Sequence, residues 1–114
     1  MSDPIVHFEI AGPNGPELVE FYRALHGWEV RDMGPGYSLV STADGSPNGA
    51  IRESEAAELT VGIGVDDLEA ALAAAMTAGA TIVMPATDNG WVNKAQIADP
   101  AGNLVTLIEN DGSD

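Results

Sequence analysis

Apolar and polar positions alternate over residues 4–10, with Val6, Phe8 and Ile10 on one face and Ile5, His7 and Glu9 on the other. This is the two-residue period of a half-buried strand. A loop rich in proline and glycine follows, and Pro16 suits the first turn of a helix because its missing N–H has no intrahelical partner to lose there. Leu18, Phe21, Tyr22 and Leu25 then recur at helical spacing and predict an apolar stripe facing the core, with Gly27 as the C-terminal cap. The period returns to two in residues 28–33 and 37–42, strands joined by a turn at Gly34, Pro35 and Gly36. After the turn-forming run 44–49, a short fourth strand is predicted at 50–52.

The second half repeats this order. It predicts a strand at 59–65, a cap at Asp66 or Asp67, a helix ending near residue 78, strands at 81–84 and 92–98, a turn at 99–102 and a strand at 104–109. Aligning the halves sets Thr60 against His7. The pattern therefore predicts a single α+β domain over residues 1–114, built of two βαβββ modules in tandem at about 4–54 and 57–110. A four-stranded sheet with a helix on one face leaves its other face open. Two modules are therefore expected to form a cup-shaped curved sheet with the helices outside.

Charge narrows the partners. The 114 residues carry 18 Asp and Glu against 4 Lys and Arg, for a formal net charge of -14, which repels phosphate backbones and anionic membrane surfaces. Neither nucleic acid nor a membrane is an expected partner. The absence of cysteine removes disulfides, thiolate metal sites and cysteine nucleophiles together. The beginning of the sequence lacks the basic and apolar regions of a signal peptide, and the uncharged run 70–87 is interrupted by Gly79 and Pro85. A soluble cytoplasmic protein is expected.

Four segments carry a family likeness: His7 on the first strand, residues 21–28 reading F-Y-R-A-L-H-G-W, residues 65–71 reading V-D-D-L-E-A-A, and residues 99–104 reading D-P-A-G-N-L. In this order they resemble the vicinal oxygen chelate superfamily, which includes glyoxalase I, bleomycin-resistance proteins and extradiol dioxygenases. His7-Phe8-Glu9-Ile10 is most similar to a small lactoylglutathione-lyase-related subgroup. The resemblance implies the tandem-module cup and a homodimer. In metal-using members it also implies a divalent ion held by the first and last strands of each half.

That ion would need imidazole and carboxylate ligands. His7 stands at the first ligand position, but Thr60 and Thr106 occupy two others, and neutral hydroxyls are poor ligands for a transition metal. Only Glu53, beside Glu9, offers a substitute carboxylate, and its face depends on the register of a short strand. No metal and no cofactor is expected. Glu109 falls on the face opposite Thr106 and reads as a solvated strand end.

A small, partly apolar molecule is the expected occupant of the cup. Thr60, Gly62 and Gly64 are expected to line it and leave room, with Leu104, Thr106 and Ile108 on the last strand and with Tyr37, Trp91 and Gln96 at its edges. Arg52 or Lys94 is a candidate for holding an anionic group. His7 and Glu9 share one strand face and are the candidate catalytic pair, because a carboxylate near an imidazole fixes its tautomer and supports proton transfer. Three functions follow: a metal-free binding protein, a metal-independent lyase or isomerase using His7 and Glu9, and a metal-dependent glyoxalase or dioxygenase. Phe21, Tyr22 and Trp28 are expected in the core, and His26 at the C-terminal end of the helix dipole.

Overall fold

The computed structural model describes residues 2–88, 90 and 92–110. Its elements follow the order β1 (Ile5–Gly12), α1 (Gly15–His26), β2 (Glu29–Gly34), β3 (Tyr37–Ser41), β4 (Asn48–Glu53), β5 (Glu58–Val65), α2 (Leu68–Thr77), β6 (Thr81–Asp88), β7 (Asn93–Ala98) and β8 (Leu104–Glu109). The tandem βαβββ order predicted from periodicity is present. The chain divides into two compact units: one is His7–Thr60, and the other takes the described residues up to Val6 and from Val61 onward.

In the His7–Thr60 unit the strands lie in the order β2-β3-β4-β1, with β1 and β4 parallel and the other neighbours antiparallel. Ile10, Val40 and Ile51 are buried, with Phe8, Leu18, Val19, Tyr22, Trp28 and Val30 packed around them. Trp28 joins sheet to helix, its ring 5.6 Å from Phe8, 5.5 Å from Tyr22 and 5.3 Å from His26. His26 is thus stacked as well as placed in the last turn. α1 is closed by Gly27 at φ 69, as its spacing predicts, and opened by Asn14, whose side chain accepts from Glu17 N at 3.3 Å.

The apolar stripe of α1 is not buried across its whole width. Leu18, Val19 and Tyr22 pack on the sheet, whereas Phe21 and Leu25 are 55% and 61% exposed. Periodicity identifies an amphipathic helix, but the sheet chooses which edge of the stripe it covers.

The other unit has the order β5-β8-β7-β6, with β5 and β8 parallel. Val65, Leu68, Leu72, Ala95, Ile97 and Leu107 form its core. Strand β6 runs on to Asp88, past the predicted end at residue 84. It is the last strand in that order and its pairing slips on both sides of Met84, so Pro85 lies in a bulged edge strand, where a missing N–H is tolerated. Among the described residues no helix is long and apolar enough to cross a membrane.

Both modules are closed by the same device. Gly12 pairs with Glu53 and Val65 with Glu109; Glu53 Oε1 accepts from Gly15 N at 2.7 Å and Glu109 Oε2 from Leu68 N at 2.9 Å. Each carboxylate ending a module's last strand therefore takes the first amide of that module's helix, where an anion also meets the positive end of the dipole. Glu109 is consequently a helix anchor, not the solvated strand end expected, and it also accepts from Asn93 Nδ2 at 3.3 Å. Glu109→Ala is expected to lower the unfolding free energy by about 1 kcal/mol, with Glu53→Ala similar in size. Urea denaturation measures both, and an effect in only one module would contradict the equivalence.

Candidate functional site

The chemistry of the first unit gathers on the face of its sheet turned away from α1. Alternation along β1 sends Phe8 and Ile10 to the helix side and His7 and Glu9 to the other. On β4, Ile51 is in the core, so Arg52 shares the face of His7 and Glu9 while Glu53 lies on the helix side with Gly15. Glu53 therefore cannot complete a ligand set beside His7. The short strand takes the register that turns its arginine, rather than its glutamate, toward Glu9.

His7 Nε2 stands 3.7 Å from Glu9 Oε2, near enough for charge interaction but beyond a good hydrogen bond. Arg52 Nε donates to Glu9 Oε1 at 2.8 Å, and Arg52 Nη2 donates to Glu58 Oε1 at 2.9 Å. The side chains of His7 and Glu9 are 28% and 22% exposed, so they are reachable and partly shielded. The imidazole beside Glu9 holds its carboxyl below the ordinary value, and the Arg52 guanidinium adds to this against the opposing effect of burial. Arg52 is held more firmly protonated, chiefly by its hydrogen bond to Glu9. Tyr37 is paired with Arg52 across β3 and β4; burial first, then Glu9, pushes its phenol up, so it remains a donor.

A carboxylate held ionised is a weak base and a good partner for an imidazolium. In this geometry Glu9 is held between Arg52 and His7, with the imidazole on its outer side. Glu58 was not singled out from sequence. Its signal was there: alternation back from Thr60 places it on the same strand face.

The other expected lining residues belong mainly to the second unit. Thr60, the end of the first unit, is 7% exposed. Gly62 is buried and pairs with Thr106 between β5 and β8. Gln96 pairs with Thr106 and Lys94 with Ile108, so these side chains share one face. Gly64 does not leave open space: a Cβ there would lie 2.9 Å from Asn110 Oδ1 and 3.2 Å from Val6 Cγ1. Trp91 lies outside the described residues.

Among the described residues no group of three or more His, Cys, Asp or Glu side chains converges as a metal site would require. The donors do not fit the family's divalent ion. His7 has one carboxylate neighbour, that carboxylate is bound to Arg52, and Glu53 faces the helix. The D-P-A-G-N segment is a turn: Asp99 Oδ1 accepts from Ala101 N and Asn103 N, both at 2.9 Å, and its carboxyl is held low by Asn103 first.

A cleft of about 620 Å³ also lies in the first unit, lined by Val19, Val30, Asp32, Pro35 and Ile51 and touching Tyr37. It is on the helix side of the sheet. Its charged groups are already engaged, Arg23 with Glu20 at 2.7 Å and Asp32 with Gly34 N at 2.9 Å, and this cleft and the His7–Glu9 pair occupy different faces.

A family model described as a glyoxalase-like domain matches residues 7–108. No curated protein matches the chain. Among solved structures, a glyoxalase/bleomycin resistance protein/dioxygenase superfamily member from Vibrio splendidus 12B01 is 14% identical, with a TM-score of 0.72 over 96% of this chain and 100% of that one. Methylmalonyl-CoA epimerase from Mycobacterium tuberculosis is 15% identical, with a TM-score of 0.72 over 92% and 86%. A Mn(II)-bound glyoxalase from Novosphingobium aromaticivorans is 13% identical, with a TM-score of 0.74 over 95% of this chain and 40% of that one. At such identities the likeness is one of fold. With the family model spanning nearly all of the chain, the protein belongs to the glyoxalase-like domain family.

Proposed function

We propose that this glyoxalase-like protein binds a small, partly apolar molecule against His7 and Glu9 and does so without a divalent ion. The observation that carries this reading is the commitment of Glu9 to Arg52 at 2.8 Å, which removes the carboxylate a metal beside His7 would need. What remains is an accessible imidazole with an oriented carboxylate behind it, a donor and acceptor pair suited to fixing the polar end of a ligand. Screening small fragments by NMR against protein stripped with EDTA tests this. Binding is expected in the wild type and should weaken about tenfold or more in His7→Ala. Binding that returns only when Mn, Zn, Ni or Fe is restored, or that ignores the His7 substitution, rejects the proposal.

A second reading, a metal-independent lyase or isomerase, is favoured by the 3.7 Å approach of His7 to Glu9. It would use His7 to move a proton on the bound molecule. Turnover lost in His7→Ala with binding retained would establish it over simple binding. We also propose a homodimer, supported by the exposed Phe21 and Leu25 of α1. A monomeric mass by light scattering at micromolar concentration would reject that.

A further inference from the structure

We infer that the group a ligand sets against His7 and Glu9 carries no negative charge, and that this site takes a neutral hydrogen-bonding group or a protonated amine. The inference rests on the binding role proposed for that face and names the chemistry it accepts. Arg52 is the obvious residue to hold a carboxylate or phosphate there, and guanidinium groups grip such anions with two N–H vectors. Arg52 already faces two of the chain's own carboxylates, its Nε on Glu9 at 2.8 Å and its Nη2 on Glu58 at 2.9 Å, so its single charge is matched twice before a ligand arrives. An arriving anion would be a third negative group on one cation, set beside two carboxylates that repel it, or would have to displace one of them and leave its charge unpaired.

The other charged groups on this face do not reverse the balance. Register places Arg31 opposite Leu39 and Glu29 opposite Ser41 on β2 and β3, and Tyr37 opposite Arg52 contributes a phenol that donates. Carboxylates from Glu9, Glu29 and Glu58 thus outnumber the guanidinium groups of Arg31 and Arg52. At longer range the net charge of -14 opposes an approaching anion further. A donor group, by contrast, meets the outer oxygen of Glu9, whose neighbour is the His7 Nε2 at 3.7 Å, a looser contact than either carboxylate makes with Arg52. On this reading Arg52, one of two candidate anion holders from sequence, is a positioning residue for Glu9.

The test uses three probes with one apolar body, phenethylamine, 2-phenylethanol and 3-phenylpropionate, titrated into the full chain near neutral pH at low salt. His7 ring signals and dissociation constants are followed by NMR. The amine and the alcohol are expected to move the His7 signals and to bind at least about tenfold more tightly than the carboxylate, and added salt should narrow the gap between amine and carboxylate. In Glu58→Gln, which removes one of the two carboxylate charges facing Arg52 at a partly exposed position, the carboxylate should gain affinity while the alcohol is unchanged. Phenylpropionate binding as well as the amine in the wild type overturns the charge selection and leaves the binding role standing. Unchanged carboxylate affinity in Glu58→Gln overturns the assignment of that selection to Arg52. Silence of the His7 signals with all three probes overturns the binding role and the inference together.

Discussion

Gly49→Ala is expected to lower the melting temperature by roughly 10 °C. Gly49 pairs with Phe8 between the parallel strands β4 and β1. A Cβ on it would fall 2.5 Å from the Phe8 carbonyl oxygen and 2.6 Å from its ring carbon Cε2, so the phenyl ring lies directly over the glycine. The ring alone could swing aside; the carbonyl is held by the ladder. Moving the ring would also pull it from Trp28, 5.6 Å away, through which the sheet meets α1. Overpacking of this kind costs about 1–3 kcal/mol, against the roughly 0.4–1 kcal/mol that alanine would return by stiffening the unfolded chain. The clash wins. A melting temperature unchanged by the substitution would show that Phe8 and Gly49 are not in this contact.

The second large effect is expected at Arg52→Met, which keeps an apolar stem and removes the charge. Two charge-assisted bonds are lost, to Glu9 and Glu58, and two carboxylates are left near one another. With the Arg52 side chain 34% exposed, water recovers part of the loss, so the expected cost at neutral pH is about 1–2 kcal/mol. Glu9 sets the pH dependence. Its folded value lies below the ordinary 4.5, because of His7 first and Arg52 after it, with burial opposing. A depressed carboxyl stabilises the fold fully above 4.5, and that contribution disappears as pH falls through the folded value. Removing Arg52 brings the folded value back toward the unfolded one, so less stability remains to be lost. The difference between wild type and variant should narrow as pH drops below 4.5. Urea titrations across that range measure it, and a difference constant with pH would mean that Glu9 is not coupled to Arg52.

Features set by a few neighbouring residues were legible in the sequence. Gly27 ends α1, Asp67 opens α2 by accepting from Ala70 N at 3.1 Å, and β8 covers the predicted 104–109. Caps, turns and alternation act over one or two turns of chain, so the sequence displays them directly. The face of β4 was not legible, because three residues of predicted strand contain no local sign of register. It is set by the pairing of Phe8 with Gly49 and of Tyr37 with Arg52, across long stretches of sequence. That one choice turned Glu53 to a helix terminus and Arg52 to Glu9, so the charge beside the His7 and Glu9 pair is a paired guanidinium rather than a further carboxylate. The exposure of Phe21 and Leu25 has the same kind of origin, since a helix cannot announce which flank of its stripe a distant sheet will cover.

Strand β1 changes allegiance between Val6 and His7: the residues before that point pack with the half of the chain that follows residue 60. Pro4 O takes the amide of Gly64 at 2.9 Å, and Val6 fills the space above that glycine. The stretch before His7 therefore belongs to a unit completed only by residues after Thr60, and it must wait through the synthesis of the whole intervening unit. Holding that long loop closed adds only a slowly growing entropic penalty. Cutting the chain between Thr60 and Val61 would not yield two self-sufficient halves. The later fragment would lack a strand end that only the earlier fragment, or a short peptide supplied in trans, could restore.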